Sequence, residues 1–514
     1  TPVPAAARQT NQQVEQGLRP GGALPGSSIF RTMKKTQAFS RFQYISEVAA
    51  IAVVDIVSLL MSFQLAVFMR TFILPLVYPY FPPEFPFGSF MTTWWIFLVW
   101  LFFFYREGLY TERLSFWDEI KGVWKVTFFS TIGIFTIVSI GQLSGHISRT
   151  VVFLMGCVAF ALLPLARILS KKILRSMGLF RRKVLIIGAG DTGKLVMRAL
   201  KKEPNYGYEV IGFVDDDPLV VGTRIDGIKV RRGLDKVMNY LQRCSISDVF
   251  IALPGEDKEK LHDLINRLQH RVERILFVPD MHGIAVLGTS LQHFFQEQAI
   301  VLEVKNNLAK PLNVLVKRCF DVVVSILLLP LLFVPMLLIA LLIRLDSKGS
   351  AIFVQKRVGQ VGRTFRCYKF RTMYGDAEER LSELLEKDAG ARTEFEQYWK
   401  LRDDPRITAI GRFLRETSFD ELPQIFNVIR GEMSLVGPRP YLPREIREIG
   451  GQCEAILLTK PGITGLWQVS GRSNTSNSYR IALDSWYVKN WNLWLDIVIL
   501  FKTVRVVLKR EGAH

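Results

Sequence analysis

The chain has 514 residues, carries a net charge of +19 and is 49% hydrophobic. A basic and apolar chain of this kind is typical of a membrane protein that faces anionic lipid headgroups and anionic substrates. Nucleic-acid binding is disfavoured, because no zinc-ligand spacing, RNP-like strand or helix-turn-helix pattern occurs. The five cysteines are scattered and form no CxxC pair, which indicates neither a disulfide framework nor a metal site.

The N-terminal third is predicted to be a membrane bundle preceded by a tail. Residues 1–40 are polar and rich in Gly, Pro, Gln and Ala, so we expect a disordered cytoplasmic tail without a cleavable signal peptide. Residues 41–175 are predicted to form an α-helical bundle of four transmembrane spans. The four apolar stretches are Ile45–Phe68, Phe87–Tyr105, Val123–Leu143 and Thr150–Leu165.

Basic residues predict the orientation of this bundle. Lys and Arg cluster before the first span, between the second and third spans, and after the fourth, whereas the other two loops offer only Arg70 and Arg149. The positive-inside rule then places both ends of the bundle in the cytoplasm. Asp55 lies within the first span, and we interpret it as a helix-pairing residue because no other acid or base lies at membrane depth nearby in the sequence.

Residues 176–280 are predicted to form a Rossmann-like α/β domain. A buried strand leads into the motif Gly188-Ala-Gly190-Asp-Thr-Gly193, and a second strand ends at Asp215. The glycines would let a pyrophosphate approach the backbone, and the acid would bind ribose hydroxyls.

Two interpretations of this motif stay open: a true nucleotide site, or a retained scaffold with a regulatory or dimerising role. The second strand and the expected later strands of the same sheet are Tyr208–Val214, Val249–Leu253 and Ile275–Val278.

Residues 281–310 are predicted to be a linker, and residues 311–514 a mainly α-helical domain that begins with an apolar run. Val322–Ile343 carries no charge, contains Pro330 and Pro335, and is flanked by basic residues on both sides. Its length would allow a crossing, but an internal proline removes a helix donor and clashes one turn back. We therefore predict a re-entrant hairpin over 322–343 with Pro335 as the main break; a kinked transmembrane helix is the alternative.

The rest of this domain combines acids and bases in a way that suits phosphoryl transfer. Asp420 and Glu421 are adjacent, and neighbouring residues on a helix point about 100° apart, so they could serve two ligands. One acid can attack phosphorus or bind a hard cation, while basic groups neutralise phosphate oxygens. The alternative is a surface Asp-Glu pair that is favourable to a helix dipole.

Several short motifs follow one another in a recognisable order. They are Tyr368-Lys-Phe-Arg-Thr-Met373, Asp404-Pro-Arg-Ile-Thr408, the run from Leu414 to Gln424, Gly437-Pro-Arg-Pro440, Lys460-Pro-Gly-Ile-Thr-Gly465 and Gly465-Leu-Trp-Gln-Val-Ser-Gly-Arg472. This region strongly resembles the monotopic phosphoglycosyl transferases, the bacterial sugar transferase family. The full layout resembles the large polyprenyl-phosphate hexose-1-phosphate transferases, and among them the undecaprenyl-phosphate galactose phosphotransferases most closely.

The resemblance implies a two-step transfer of hexose-1-phosphate. Asp420 matches the family nucleophile, which would attack the sugar-bearing phosphate of a UDP-hexose and release UMP. Glu421 matches the residue that holds Mg²⁺, with Asp420 as a second candidate ligand. Lys369 and Arg415 match residues that contact phosphate, and Arg439 lies in the matching motif of the nucleotide site. Two further arginines of the matching motifs are candidate substrate contacts: Arg371 and Arg472.

The resemblance also implies the setting of the reaction. The acceptor would be undecaprenyl phosphate in the bacterial inner membrane, with the catalytic and Rossmann-like domains on the cytoplasmic face. The product would start an O-antigen, capsule or exopolysaccharide, and we expect a homodimer. The alternatives are a direct attack without a covalent intermediate, transfer of glucose-1-phosphate, and a non-enzymatic regulator of polysaccharide assembly. A dehydratase or epimerase is disfavoured, because Tyr240 is followed by Cys244 where a Tyr-x-x-x-Lys pair needs lysine.

Overall fold

The chain divides into two compact units, Thr1–Asp280 and Met281–His514. The computed structural model describes residues 26–79, 94–141, 147–244, 246, 248–269, 271–279, 290–294, 299–303, 307–388, 390, 392–393, 395, 401, 404–450, 453–471 and 477–509. Most of the predicted tail, residues 1–25, lies outside this set, and a helix begins at Gly26.

The first unit opens with five mainly apolar helices. They are α1 (Gly26–Phe68), α2 (Leu74–Val77), α3 (Trp95–Arg106), α4 (Phe116–Ile140) and α5 (Arg149–Ser176), and one π-helical turn, Met69–Ile73, joins α1 to α2. Among the described residues four helices are long and apolar enough to cross a membrane: Ile45–Val77, Phe116–Ile140, Arg149–Ser176 and Pro311–Asp346.

Three of these four helices correspond to the first, third and fourth predicted spans. The second predicted span, Phe87–Tyr105, is described only from Trp94 onward, where α3 contributes 12 helical residues. The rest of that predicted span lies outside the described residues.

The inner faces of α1, α3, α4 and α5 share one apolar core. Leu59, Trp100, Phe104, Val123 and Leu163 are buried in it. The outward faces carry exposed apolar side chains, among them Val53, Leu98, Phe128 and Phe153. Because lipid tails are as apolar as a protein core, such faces suit helices that are surrounded by lipid.

A buried ion pair joins α1 to α5. The Arg167 guanidinium donates from Nε and Nη2 to Oδ1 and Oδ2 of Asp55 at 2.8 and 2.6 Å, and the Tyr110 hydroxyl donates to the same carboxylate at 2.7 Å. Arg167 Nη1 also lies 3.3 Å from Glu119 Oε1, and Lys171 Nζ donates to Glu119 Oε2 at 2.7 Å. The pairing role predicted for Asp55 is confirmed, with a partner 112 residues away.

The α/β part of the first unit contains one six-stranded sheet. Its elements are β1 (Arg182–Ile187), α6 (Asp191–Lys202), β2 (Tyr208–Asp215), β3 (Arg224–Ile225), β4 (Ile228–Arg232), α7 (Val237–Cys244), β5 (Asp248–Ile251), α8 (Lys258–Gln269) and β6 (Arg274–Phe277). The strand order is β3-β4-β2-β1-β5-β6, and only β3 is antiparallel to its neighbour. The five parallel strands thus follow the order 3-2-1-4-5, which is that of the first five strands of the doubly wound Rossmann sheet, as predicted.

The second unit contains a helix of 36 residues and a small fold of short strands and helices. Its elements are β7 (Ser290–Phe294), β8 (Ala299–Glu303), α9 (Pro311–Asp346), β9 (Ile352–Val358), β10 (Thr364–Phe370), α10 (Ala377–Lys387), α11 (Ala409–Thr417), α12 (Ile425–Arg430), β11 (Ser434–Val436), α13 (Ile446–Ile449), α14 (Cys453–Leu457), β12 (Gly462–Thr464), α15 (Leu466–Val469), α16 (Asn477–Lys489) and α17 (Leu493–Lys509). The hairpin β7–β8 lies within the residues predicted to be a linker.

Helix α9 continues through both Pro330 and Pro335. The prolines therefore do not end the helix, contrary to the expectation that they split the apolar run into pieces. A proline removes one backbone hydrogen bond and strains the preceding turn, but a helix can accommodate it by bending. The re-entrant bend itself stays a prediction.

The N-terminal half of α9 is held to the rest of the second unit by buried polar groups. Lys317 Nζ donates to Asp496 Oδ2 of α17 at 2.7 Å and to the Val436 carbonyl of β11 at 3.0 Å. Arg318 Nη2 donates to the Ile429 carbonyl at the end of α12 at 2.8 Å.

The C-terminal half of α9 packs against different elements of the same fold. Met336, Ile339 and Ile343 share an apolar cluster with Phe370 of β10 and Leu414 of α11. Near the middle of α9 many side chains are apolar and exposed, among them Leu327, Leu331 and Phe333.

Candidate active site

The adjacent acids Asp420 and Glu421 lie in a 3₁₀ turn, Phe419–Gln424, between α11 and α12. Helix α11 is capped at its N-terminus by Thr408, whose hydroxyl accepts a hydrogen bond from the Gly411 amide at 2.9 Å. The residue after the helix is Ser418, where φ is +58°. A left-handed residue at this position redirects the chain after a helix, so both acids begin the next turn.

The ribbon β9–β10 provides the base that faces these acids. Lys369 of β10 extends Nζ to within 2.8 Å of Oε1 of Glu421. Burial lowers the pKa of Lys369, but the charges of Glu421 and Asp420 outweigh it and raise the pKa above its ordinary value. Lys369 is therefore a fixed positive charge beside two carboxylates.

Asp420 is half-buried, and its electrostatic environment is unusual. Burial and the neighbouring charge of Glu421 raise its pKa to about 6, while the charges of Lys369 and Arg415 act in the opposite direction. A carboxylate with a raised pKa is more basic and more nucleophilic than an exposed one, and it still ionises near neutral pH.

Arg415 comes from the last turn of α11. Its Nε donates to Thr372 Oγ1 at 3.0 Å, which orients the guanidinium, and its charge acts on the pKa of Asp420. Together with Lys369, it supplies the second cation beside Asp420. The structure thus brings together four of the predicted site residues: Asp420, Glu421, Lys369 and Arg415.

Arg439 lies in the segment 437–441, which is hydrogen-bonded to β9 through the Val358 amide and the Tyr441 carbonyl at 2.9 Å. The side chain of Asp484, which is 1% exposed, is hydrogen-bonded to this segment. Asp484 Oδ2 accepts the Arg439 amide at 3.2 Å and the Tyr441 hydroxyl at 2.8 Å. Burial raises the pKa of Asp484 to about 7.

The two remaining predicted substrate contacts have different outcomes. Arg371 donates from Nη1 to the Lys348 carbonyl at 2.7 Å and from Nη2 to the Ser347 carbonyl at 2.7 Å. It therefore binds the C-terminal end of α9, and a substrate role for it stays a prediction. Arg472 lies outside the described residues.

The residues around Asp420 fit a magnesium ion that is bound mainly by substrate. No group of three acidic, histidine or cysteine side chains is close enough to hold a metal within the described part of the chain. Mg²⁺ usually takes one or two carboxylates together with phosphate oxygens and water, which is what Asp420 and Glu421 can offer. The repulsion that raises the pKa of Asp420 would be relieved by such a cation.

The glycine motif of the α/β domain is built around close backbone contacts. A Cβ atom at Gly188 would lie 2.2 Å from the Ala252 carbonyl oxygen, and one at Gly193 would lie 2.1 Å from the Gly188 carbonyl oxygen. A Cβ at Gly190 would meet nothing within 4 Å. The first and third glycines are thus needed for the turn, and the second leaves space.

The acid of the same motif is used within the loop. Asp215 Oδ2 accepts the Ala189 amide at 2.6 Å, and Oδ1 accepts the Asp217 amide at 2.9 Å. Asp215 therefore has a structural role in this turn, as the scaffold interpretation requires, and nucleotide binding at the motif stays a prediction.

Sequence reasoning missed Asp484 and Arg357 as parts of the site. Asp484 was given no role, although an acid among aromatic residues is a recognisable signal for a buried partner. Arg357 lies on β9, donates from Nη1 to the Pro440 carbonyl at 2.9 Å and so fixes the segment 437–441. Its signal in the sequence is the short polar motif Gln355-Lys-Arg-Val-Gly359.

Comparison with known proteins identifies the family to which the chain belongs. The family described as bacterial sugar transferase matches residues 312–510, and a family described as CoA-binding domain matches residues 101–279. The undecaprenyl-phosphate galactose phosphotransferase of Salmonella typhimurium is 39% identical over 416 residues, which cover 80% of this chain and 86% of that protein. The UDP-galactose-lipid carrier transferase of Erwinia amylovora has the same identity and coverage.

The chain belongs to the bacterial sugar transferase family. A third relative, the UDP-glucose:undecaprenyl-phosphate glucose-1-phosphate transferase of Klebsiella pneumoniae, is 30% identical and covers 74% of this chain and 79% of that protein. The UDP-D-quinovosamine 4-dehydrogenase of Vibrio fischeri is 28% identical over 20% of this chain and 80% of that one, with a TM-score of 0.18. A TM-score of this size carries no argument about fold or function.

Proposed function

We propose that the protein transfers galactose-1-phosphate from UDP-galactose to undecaprenyl phosphate and so starts the synthesis of a polysaccharide. The observation that carries this proposal is the ion pair of Lys369 with Glu421 beside the more basic carboxylate of Asp420. It lies inside the region that matches the bacterial sugar transferase family. The activities named for the relatives support the substrates.

In the first step, a carboxylate oxygen of Asp420 attacks the sugar-bearing phosphorus of the donor. A bond forms between Asp420 and phosphorus, the bond from phosphorus to the bridging oxygen breaks, and UMP leaves with the electron pair. Lys369 and Arg415 neutralise the charge that spreads over the phosphate oxygens in the transition state. Both cations are held in advance, by Glu421 and Thr372 respectively.

In the second step, a phosphate oxygen of undecaprenyl phosphate attacks the same phosphorus. The acyl phosphate bond breaks, Asp420 regains its carboxylate, and the product is undecaprenyl diphosphate–galactose. A Mg²⁺ ion held by Glu421, with Asp420 as a second candidate ligand, would supply further charge neutralisation at the phosphates.

A direct attack by the lipid on the donor is the mechanistic alternative. The raised pKa of Asp420 supports the covalent route, because it makes the carboxylate a better nucleophile than an exposed aspartate.

The packing of α9 supports the proposed re-entrant topology. Helix α11 packs on the C-terminal half of α9, and α12 is bonded to its N-terminal half. Only residues 418–424 join α11 to α12, and a 3₁₀ turn rises only about 2 Å per residue. Such a link, with two acids in it, is too short and too polar to cross about 30 Å of hydrocarbon. Both ends of α9 would then lie at the same face of the membrane, which the basic flanks place in the cytoplasm.

Release of UMP by the purified full-length protein tests the proposal. The protein is incubated with undecaprenyl phosphate, Mg²⁺ and one donor at a time: UDP-galactose, UDP-glucose or their N-acetyl forms. We expect UMP with UDP-galactose. Release of UMP with UDP-glucose alone would identify glucose as the transferred sugar and leave the proposed reaction unchanged. Failure with every donor, by protein whose thermal unfolding is cooperative, would contradict the proposal and favour a regulatory role.

A further inference from the structure

Three arginines and one tryptophan form a cluster beside the segment 437–441. The guanidinium carbons of Arg480 and Arg439 lie 5.2 and 6.0 Å from the centroid of the Trp467 ring. Arg357 is bonded to the segment through the Pro440 carbonyl. We call Arg357, Arg439, Arg480 and Trp467 the arginine cluster.

The guanidinium group of Arg439 repels those of Arg357 and Arg480. Glu445 is the acid that pairs with Arg439, at 3.5 Å between Oε1 and Nη2. Burial and the charge of Arg439 lower the pKa values of both Arg357 and Arg480. Cations that repel one another in a folded protein are stabilised when an anion binds among them.

The hydrogen-bonding groups of the cluster are donors. The indole nitrogen of Trp467 is buried and has no hydrogen-bond partner among the described residues. An unpartnered buried donor is costly, and a ligand with several acceptor oxygens would satisfy it. The rest of the indole is only half-buried, so its ring offers a surface on which a nucleobase can stack.

The arginine cluster lies at a suitable distance from the reacting groups. Antiparallel pairing places Arg357 opposite Phe365 and Phe353 opposite Lys369, so Arg357 and Lys369 share one face of the ribbon, about 13 Å apart at 3.3 Å per residue. The charge of Glu421 also acts on the pKa of Arg357. A nucleoside diphosphate that placed its sugar-bearing phosphate at Lys369 could extend along this face to the cluster.

We propose that Trp467 and Arg480, together with Arg439, bind the nucleoside monophosphate part of the donor and hold it as the leaving group. This inference rests on the proposed function. Trp467 stacks on the base and donates its N–H to an acceptor oxygen, and the two arginines neutralise the phosphate nearest the nucleoside. The matched motif marked Arg439 for the nucleotide site; Trp467 and Arg480 are assigned from their geometry.

The test compares Arg480→Gln and Trp467→Leu with the control Arg363→Gln in full-length protein. Arg363 is an exposed arginine between β9 and β10, outside the cluster. UMP binding is measured without any turnover, from the rise of the unfolding temperature with UMP concentration. Donor KM, acceptor KM and kcat are measured in parallel.

We expect Arg480→Gln and Trp467→Leu to weaken UMP binding by about 10- to 100-fold, the usual effect of losing a charged or stacking contact. Donor KM should rise to a similar extent, while acceptor KM stays within about twofold of wild type. Arg480→Lys should recover part of the affinity, and it serves as the second variant if Arg480→Gln does not fold. The control should bind UMP like wild type.

Unchanged UMP affinity in the folded variants would overturn the inference. A rise in acceptor KM without a change in UMP affinity would also overturn it, because the cluster would then belong to the lipid phosphate. A fall in kcat with both affinities unchanged would indicate a structural role and count against it. Wild-type protein that binds UMP through these residues but turns over no donor would contradict the proposed function and leave this inference standing.

Discussion

The Nζ atom of Lys369 lies 2.8 Å from Oε1 of Glu421, so a residue of β10 fixes the acid that follows Asp420. The contact keeps a positive charge next to both carboxylates, and each carboxylate raises the pKa of Lys369 in return. The two acids therefore have different environments: Glu421 is ion-paired, and Asp420 has a carboxyl whose pKa is raised to about 6. This difference supports the attacking role that we propose for Asp420.

Replacement of the nucleophile gives the first prediction. Asp420→Asn should reduce transfer by roughly 10³-fold or more, as the loss of a covalent nucleophile does in other enzymes. The sharper readout is the exchange of labelled UMP into UDP-sugar without lipid acceptor, because only a covalent intermediate permits it. We expect exchange in wild type and none in the variant. An active wild-type enzyme without exchange would favour direct attack by the lipid.

The pH profile gives the second prediction. Only ionised Asp420 can attack, so kcat/KM should rise with pH through about 6 and level off above it. The charge of Lys369 lowers the pKa of Asp420; Lys369→Met should therefore move the midpoint to higher pH as well as reduce the rate. A midpoint that stays in place in this variant would show that another group controls the profile. Arg363→Gln is the control, since it removes a distant exposed cation.

The sequence predicted those parts of the fold that have a local signature. Four of the five parallel strands of the α/β domain, β1, β2, β5 and β6, were predicted within a residue or two, because buried strands read as continuous apolar runs. The strands β3 and β4 were not predicted, since with Arg224, Lys229 and Arg231 they form no continuous apolar run. The motif residues Glu421 and Lys369 were predicted, but their 52-residue separation hides the contact that brings them together.

Long-range polar pairs account for most of what the sequence could not predict. The partner of Asp55 is Arg167, which sequence reasoning placed just beyond the fourth span and counted only as an orientation signal. The Tyr441–Asp484 contact joins residues 43 apart, and Tyr441 lies in the segment 437–441, which has no regular secondary structure. Such partners depend on the tertiary fold, whereas hydropathy and motifs report local structure.

The Asp55–Arg167 pair gives the third prediction. Both side chains are at most 1% exposed, so removal of either one leaves a buried charge, which costs about 3–5 kcal/mol. Asp55→Leu and Arg167→Leu should each lower the unfolding temperature of the solubilised protein. The double variant should lose less stability than the sum of the two single losses, because neither charge of the pair is then buried without its partner. The exposed pair Lys125–Glu107, 2.7 Å apart, is the control: Lys125→Gln should change stability little.

The carboxyl of Asp484 gives the fourth prediction. Burial raises its pKa from 3.8 to about 7, so between these values the folded state binds the proton that the unfolded chain releases. Stability should therefore fall as pH rises from about 4 to about 7, by an amount on the order of 3 kcal/mol. Asp484→Asn removes the titrating group and should flatten this part of the curve of unfolding temperature against pH. Equal slopes in the variant and wild type would contradict the assignment.

The topology of α9 gives the last prediction. If both ends of the helix lie at the cytoplasmic face, single cysteines in place of Lys310 and Lys348, in a chain whose own cysteines are replaced, should react only with a reagent that has entered the cell. A membrane-impermeant reagent added outside should label neither. Leucine at both Pro330 and Pro335 restores the two backbone donors that a straight helix needs. This change should shift part of the population to a spanning form. In that form Lys348→Cys becomes reactive from outside. Labelling of Lys348→Cys from outside in the chain with both prolines would instead establish a kinked transmembrane helix.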